Sequence, residues 1–190
     1  MKTDSFAFLH QDVESAAKAL LGCILERKLD GQLVRVRIVE VEAYDQNDAA
    51  SHSYKGKTPR TDVMFGPSGH LYVYFTYGMH YCCNVVTGPE GMGAAVLIRA
   101  VEPLEGENVL QEYRPFSSVQ LTNGPAKLCQ ALGINKTMNG HDLSKTPLRL
   151  IVRPPLDSKD FTQTTRIGIT QSKDVPWRFY ITGNPFVSRP

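Results

Sequence analysis

No apolar run in the chain approaches the roughly 20 residues needed to span a bilayer as a helix. No long hydrophobic segment follows Met1-Lys2-Thr3-Asp4-Ser5 either, so neither a membrane anchor nor a signal peptide is expected, and the expected location is cytoplasmic. Charge of one sign is also scarce. Across 190 residues the formal net charge is only +2, so global charge does not announce a nucleic-acid partner. The four cysteines, Cys23, Cys82, Cys83 and Cys129, lack the spacing of a metal site. Cys82 and Cys83 would point to opposite faces of a strand, and all four are read as reduced thiols. There is no P-loop, no Gly-x-Ser-x-Gly elbow, no His-Glu-x-x-His, and no His-x-Glu followed by Pro-Cys-x-x-Cys. These absences direct attention to chemistry that uses no metal or organic cofactor. Internal repeats and low-complexity tracts are missing too. What remains is a chain with 42% apolar residues, enough to build the core of one domain over residues 1–190.

Periodicity predicts an α+β fold. Asp12 caps a helix whose apolar stripe is Val13, Ala16, Ala17, Leu20 and Leu21. A strand over 23–29, the hairpin pair Asp30-Gly31 and a return strand over 34–44 follow. Residues 45–69 are polar and rich in turn formers. A loop of that length within a compact domain is commonly functional. Strands over 71–77, 81–87 and 94–101 come next, with turns at 78–80 and 88–91. Helices are expected at 103–114 and from Asn123-Gly124-Pro125 onward, and short strands around 149–152 and 177–181. Hairpins in series predict a curved, mainly antiparallel sheet, resembling an open barrel and flanked by helices, in a single compact domain.

The strand over 34–44 carries the strongest chemical signal. Strict alternation places Val34, Val36, Ile38, Glu40 and Glu42 on one face and Arg35 and Arg37 on the other. Two carboxylates therefore fall where core is expected. A buried carboxylate must be paired or hydrogen-bonded, and a partly desolvated one is a candidate general acid or base. Glu42 is favoured over Glu40 because it lies at the strand end, beside the long loop. Arg99, within an apolar strand, needs an anion or carbonyl partners and is the natural partner for these acids. A purely structural ion pair is the competing reading.

Tyr72 and Tyr74 share a strand face and can line one surface, although aromatic strand residues are commonly core. Tyr77, beside the Gly78-Met79-His80 turn, is placed to wedge between bases. His52 sits in the long loop, where it is either an ordinary surface residue or a hydrogen-bonding group. Asn84 lies on a buried-looking strand and needs amide partners, from the backbone or from a ligand. Lys55, Lys57 and Arg60 cluster in the long loop. With Arg35, Arg37 and Lys127 they are the candidate phosphate-binding face, against the alternative of a solvated loop.

The ordered set Val41-Glu42-Ala43-Tyr44, Ala50-Ser51-His52-Ser53, Thr58-Pro59-Arg60, Met64-Phe65, Leu71-Tyr72-Val73-Tyr74, Tyr77-Gly78-Met79, Leu97-Ile98-Arg99-Ala100, Glu102-Pro103-Leu104-Glu105-Gly106, Gly124-Pro125 with Leu128-Cys129-Gln130-Ala131-Leu132, and Trp177-Arg178-Phe179-Tyr180 with Gly183-Asn184-Pro185 resembles the alkyladenine DNA glycosylase family, mammalian-type 3-methyladenine DNA glycosylases. The motifs cover nearly the whole chain. Each is weak alone; their order is specific.

The resemblance implies a monofunctional, metal-independent glycosylase, in a bacterial form. Such an enzyme flips a damaged purine from double-stranded DNA and hydrolyses its N-glycosidic bond, leaving an abasic site. It implies Glu42 as the general base, with Glu40 in structural support, and Arg99 positioning the water. Tyr44, Ala50, His52, Tyr74 and Asn84 would form the base pocket, and Tyr77 would fill the gap in the helix. Lys55, Lys57, Arg60 and Lys127 would contact the DNA backbone. No cofactor is implied, and the expected oligomeric state is a monomer. Two other readings stay open at this point: a non-catalytic module that bends DNA, and a glycosylase/lyase that uses a lysine Schiff base.

Overall fold

The computed structural model describes residues 6–76 and 78–189. A short 3₁₀ turn at Ala7–His10 leads into α1 (Val13–Leu20), whose N-terminus is capped by Asp12 accepting the Ser15 amide at 2.9 Å. The α1 stripe Val13, Ala16, Ala17 and Leu20 is buried, as its helical spacing predicts. Strands β1 (Ile24–Leu29) and β2 (Gln32–Tyr44) form the expected hairpin. Its turn residues Asp30 and Gly31 both have positive φ, at 45° and 85°. That is the requirement of the tight turn that Asp-Gly pairs favour.

Strands β3 (Leu71–Thr76), β4 (His80–Val86) and β5 (Ala95–Glu105) follow, then α2 (Glu107–Tyr113), α3 (Pro125–Ala131), β6 (Leu148–Ile151), β7 (Phe161–Thr164) and β8 (Arg178–Ile181). The eight strands pair antiparallel in the order β3-β4-β5-β2-β1-β6, with β8 joined to β2 and β7 to β8. The fold is α+β, and the sheet curls into a half-barrel flanked by helices, as expected. Among the described residues no helix is long and apolar enough to cross a membrane. The four cysteines are free and buried.

Two expectations about strands are corrected. The helix predicted over 103–114 begins only at Glu107, because β5 runs on to Glu105. Cross-strand charges hold this extension: Arg37 bonds Glu102, and Arg35 meets Glu105 at 2.9 Å. Gly106, at φ 78°, then turns the chain. β7 was not foreseen, since Phe161-Thr162-Gln163-Thr164 carries little apolar signal.

The second correction concerns the faces of β2. Val34, Val36 and Ile38 enter the main core, but so do Val41 and Ala43. The alternation therefore changes phase between Ile38 and Val41. The pairing with β5 is irregular at the same place, from Ile38 opposite Val101 to Val41 opposite Ile98. β5 changes phase with it, since Val96, Ile98 and Val101 are core. A local irregularity of this kind re-aims side chains. Glu40 and Glu42 consequently leave the face of Val34 and join the face of Arg35 and Arg37. They are still fully buried, because the segments carrying Ile167 and Ser188 are bonded against them on that face.

Candidate active site

β2 is gripped on both edges. β5 runs along one, while the other is shared by β1 over the first half and by β8 over Glu40–Glu42. Arg99 thus reaches both carboxylates from β5, and Arg178 reaches Glu40 from β8. Glu40 accepts from Arg99 Nε at 3.2 Å, Arg178 Nε at 2.7 Å, the Ser188 amide at 2.7 Å and Ser188 Oγ at 2.9 Å. Glu42 accepts from Tyr44 Oη at 2.8 Å and Arg99 Nη1 at 3.3 Å on Oε2, and from the Ile167 amide at 2.7 Å on Oε1. Burial works against the Arg99 charge, yet Glu42 and Glu40 outweigh it and hold its pKa above the ordinary guanidinium value. Burial, followed by the Glu42 charge, pushes the Tyr44 phenol up, so Tyr44 keeps its proton and donates it to Glu42.

Beside this cluster lies a cavity of about 640 Å³, within the usual range for small-ligand sites, roughly 300–1,000 Å³. Tyr44, Ala50, His52, Tyr74, Asn84 and Arg99 all line it. Glu42 does not: it sits one hydrogen bond below, behind Tyr44 and Arg99. Tyr72 and Tyr74, two positions apart on β3, stack at 5.7 Å with an interplanar angle of 28°. His52 stands edge-on to Tyr74 at 4.6 Å, and its Nδ1 lies 3.0 Å from Tyr72 Oη. Burial, followed by the Arg60 charge, depresses the His52 pKa to about 4, so the ring is neutral at physiological pH. Arg60 Nη2 faces His52 Nε2 at 3.5 Å and can only donate, which leaves Nδ1 as the protonated nitrogen. Asn84, on the cavity wall, donates Nδ2 to the Tyr72 carbonyl at 3.2 Å, and no donor among the described residues meets its amide oxygen. Cys82, on the same face of β4, also lines the cavity, and burial pushes its thiol up to about 11.

The other candidates lie as follows. Tyr77 falls outside the described residues. Lys55 and Lys57 are exposed in the long loop. Arg60 reaches the cavity wall, with its guanidinium carbon 5.9 Å from the Tyr74 ring centre. Lys127 is tied to Gln120 and Asn123 at 2.7 Å each. Arg35 and Arg37 are neutralised by Glu26, Glu105 and Glu102, so they do not form a free cationic face. The Ala50 amide is not free for a ligand, since it donates to Asp48 Oδ1 at 3.0 Å.

One wall of the cavity carries almost no signal in the sequence. Residues 167–171 line the cavity, carried by Arg166, whose side chain is fully buried. Arg166 donates to the Ala43 carbonyl at 2.9 Å and pairs with Asp48, and its guanidinium lies 4.7 Å from the Tyr44 ring. Burial opposes the Asp48 charge, but Arg166 and the Ala50 amide outweigh it and hold that carboxyl below the ordinary value. Asp48 and Arg166 stand 118 residues apart, so only a lone arginine amid the threonines and isoleucines of 164–170 hinted at the link. Arg189 lines the cavity too.

Among the described residues, Arg60, Arg99 and Arg189 line the cavity and no carboxylate does. An aromatic slot with an arginine wall and a carboxylate beneath it suits a planar ligand on an anionic scaffold. Comparison with known proteins gives the family. A model of the methylpurine-DNA glycosylase family matches residues 7–185. A protein of Carboxydothermus hydrogenoformans named "Putative 3-methyladenine DNA glycosylase" is 52% identical, over 96% of both chains. Proteins of the same name from Methanoculleus marisnigri and Nitrosospira multiformis are 50% and 44% identical. The former match covers 96% of this chain and 97% of the relative, the latter 100% and 95%. The chain belongs to the methylpurine-DNA glycosylase family.

Proposed function

We propose that the protein removes damaged purines from duplex DNA by hydrolysis, with Glu42 as the general base. The substrates in this reading are alkylated adenine and guanine, with hypoxanthine and ethenoadenine as further candidates. The damaged base turns out of the helix into the cavity and stacks against the Tyr72–Tyr74 wall, with neutral His52 at its edge. A damaged or mismatched base flips more readily, because less pairing and stacking is lost. The cavity arginines face the phosphodiester backbone.

Water oxygen attacks C1′ while the C1′–N9 bond breaks, and the bonding electrons leave with the purine. A purine methylated at N3 or N7 starts out cationic and departs neutral, so it needs no separate acid; hypoxanthine and ethenoadenine start out neutral and must take up a proton from solvent as they leave. The water proton passes to Glu42 through the Tyr44 hydroxyl, which takes one proton and gives up its own, while Arg99 Nη1 stays on Oε2 and holds the carboxylate in place. The carboxylate and its field also stabilise positive charge developing at C1′.

The observation that carries this reading is the Glu42 carboxylate, buried yet bonded through Oε2 to two cavity-wall groups, Tyr44 and Arg99. A module that only bends DNA has no need of that arrangement. No lysine lines the cavity among the described residues, so a Schiff-base lyase has no nucleophile in place. The test uses duplexes carrying alkylated adenine, hypoxanthine or ethenoadenine. Alkali-labile abasic sites with no borohydride-trapped adduct are expected. Salt-sensitive binding without base release on every duplex would defeat the proposal.

A further inference from the structure

The last residues of the described chain return to the buried ion cluster. Val187 is buried, and Ser188 then bonds Glu40 twice, its amide to Oε2 at 2.7 Å and its hydroxyl to Oε1 at 2.9 Å. The Arg189 carbonyl accepts from Arg178, which itself donates to Glu40, and the Arg189 side chain lines the cavity. Glu40 in turn holds Arg99 through Nε, and the same guanidinium offers Nη1 to Glu42. A continuous hydrogen-bonded chain therefore runs from Ser188 through Glu40 and Arg99 to Glu42.

We infer that Ser188 is a positioning residue of the glycosylase reaction. Its hydroxyl fixes the rotation of the Glu40 carboxylate, and Glu40 fixes the plane of the Arg99 guanidinium. A guanidinium is flat, with its donors in a rigid fork, so anchoring Nε determines where Nη1 points. Without the hydroxyl, Glu40 keeps the Ser188 amide on Oε2 and both arginines on Oε1, so the cluster persists, but Oε1 is then held by the two guanidiniums alone and can shift between them. Arg99 then swings relative to Glu42, and a misplacement of about 1 Å in a catalytic group can cost on the order of 100-fold in rate. Ser188 touches neither substrate nor reacting water in this scheme. Its effect belongs to the chemical step and not to DNA binding.

This inference rests on the proposed function, and one experiment separates their failures. Single-turnover base release and affinity for abasic-site duplex are measured for the parent, Ser188→Ala and Ser188→Thr, with thermal melts of each. Ser188→Ala is expected to slow release by about 10-fold, with DNA affinity within about twofold of the parent, and Ser188→Thr to restore most of the rate. Release by Ser188→Ala at the parental rate overturns the inference. So does a slower variant that Ser188→Thr fails to rescue, a loss confined to DNA affinity, or a variant that no longer folds, because the assigned role is alignment of the site and not support of the fold. Absence of release by the parent on every duplex overturns the proposed function instead.

Discussion

Replacing Glu42 by glutamine is the sharpest perturbation of the site. The carboxylate accepts three bonds, one from Ile167 on Oε1 and two from Tyr44 and Arg99 on Oε2. Glutamine keeps one accepting oxygen and turns the other position into a donor. With its oxygen on the Ile167 amide, its NH₂ faces Arg99 Nη1, donor against donor; Tyr44 can reverse its hydroxyl, but a guanidinium cannot accept. The lost charge-assisted bond is worth about 1.5–3 kcal/mol. For a chain of this size that corresponds to a fall in Tm on the order of 5 °C, so the variant is expected to fold. The site also gains one positive charge, which favours DNA. The chemical step loses its base, and a general base contributes about 10²–10⁴-fold. Glu42→Gln is thus expected to bind abasic-site duplex at least as tightly as the parent and to release base 10²–10⁴-fold more slowly in single turnover, by the same estimate. Release at the parental rate by folded Glu42→Gln would refute the reasoning.

Three further outcomes follow from the geometry. His52, depressed to about 4, binds its proton more weakly in the folded chain than at its ordinary value of 6.5. Its contribution to stability is therefore complete above pH 6.5 and is lost as pH falls from 6.5 towards 4. The ring is solvent-accessible, so screening keeps that loss below about 1 kcal/mol. An NMR titration of the His52 imidazole should show a midpoint near 4, and a midpoint above 6 would contradict the site's electrostatics. Arg166→Met leaves Asp48 buried without its cation, which is expected to cost about 3–5 kcal/mol and to lower Tm by on the order of 10 °C in a thermal melt. Arg189→Ala is expected to weaken duplex binding similarly for all sequences and to reduce the slope of log K against log salt by about one, as read by titration at several salt concentrations.

Local pattern was enough for much of the molecule. The α1 stripe, the Asp30-Gly31 hairpin, the shared face of Tyr72 and Tyr74, and the isolation of Glu42 and Arg99 in apolar strands all come from short-range periodicity and burial. What escaped was set by partners distant in the chain. Strict alternation misassigned Glu40 and Glu42 to the face of Val34, because the phase change on β2 arises from its irregular pairing with β5. It still identified them as buried, since that opposite face is covered as well. The Arg166–Asp48 pair and the tie from Ser188 to Glu40 join residues more than 100 positions apart, and nothing local marks their contact. The Ala50 amide is likewise committed to the Asp48 side chain, which Arg166 holds from the far end of the chain.

The most direct test of the account is release of free base from methylated duplex DNA by the purified protein, followed by mass spectrometry. Free 3-methyladenine and a matching number of intact abasic sites in the DNA are expected. Tight binding to the methylated duplex with no free base at any enzyme excess would contradict the account.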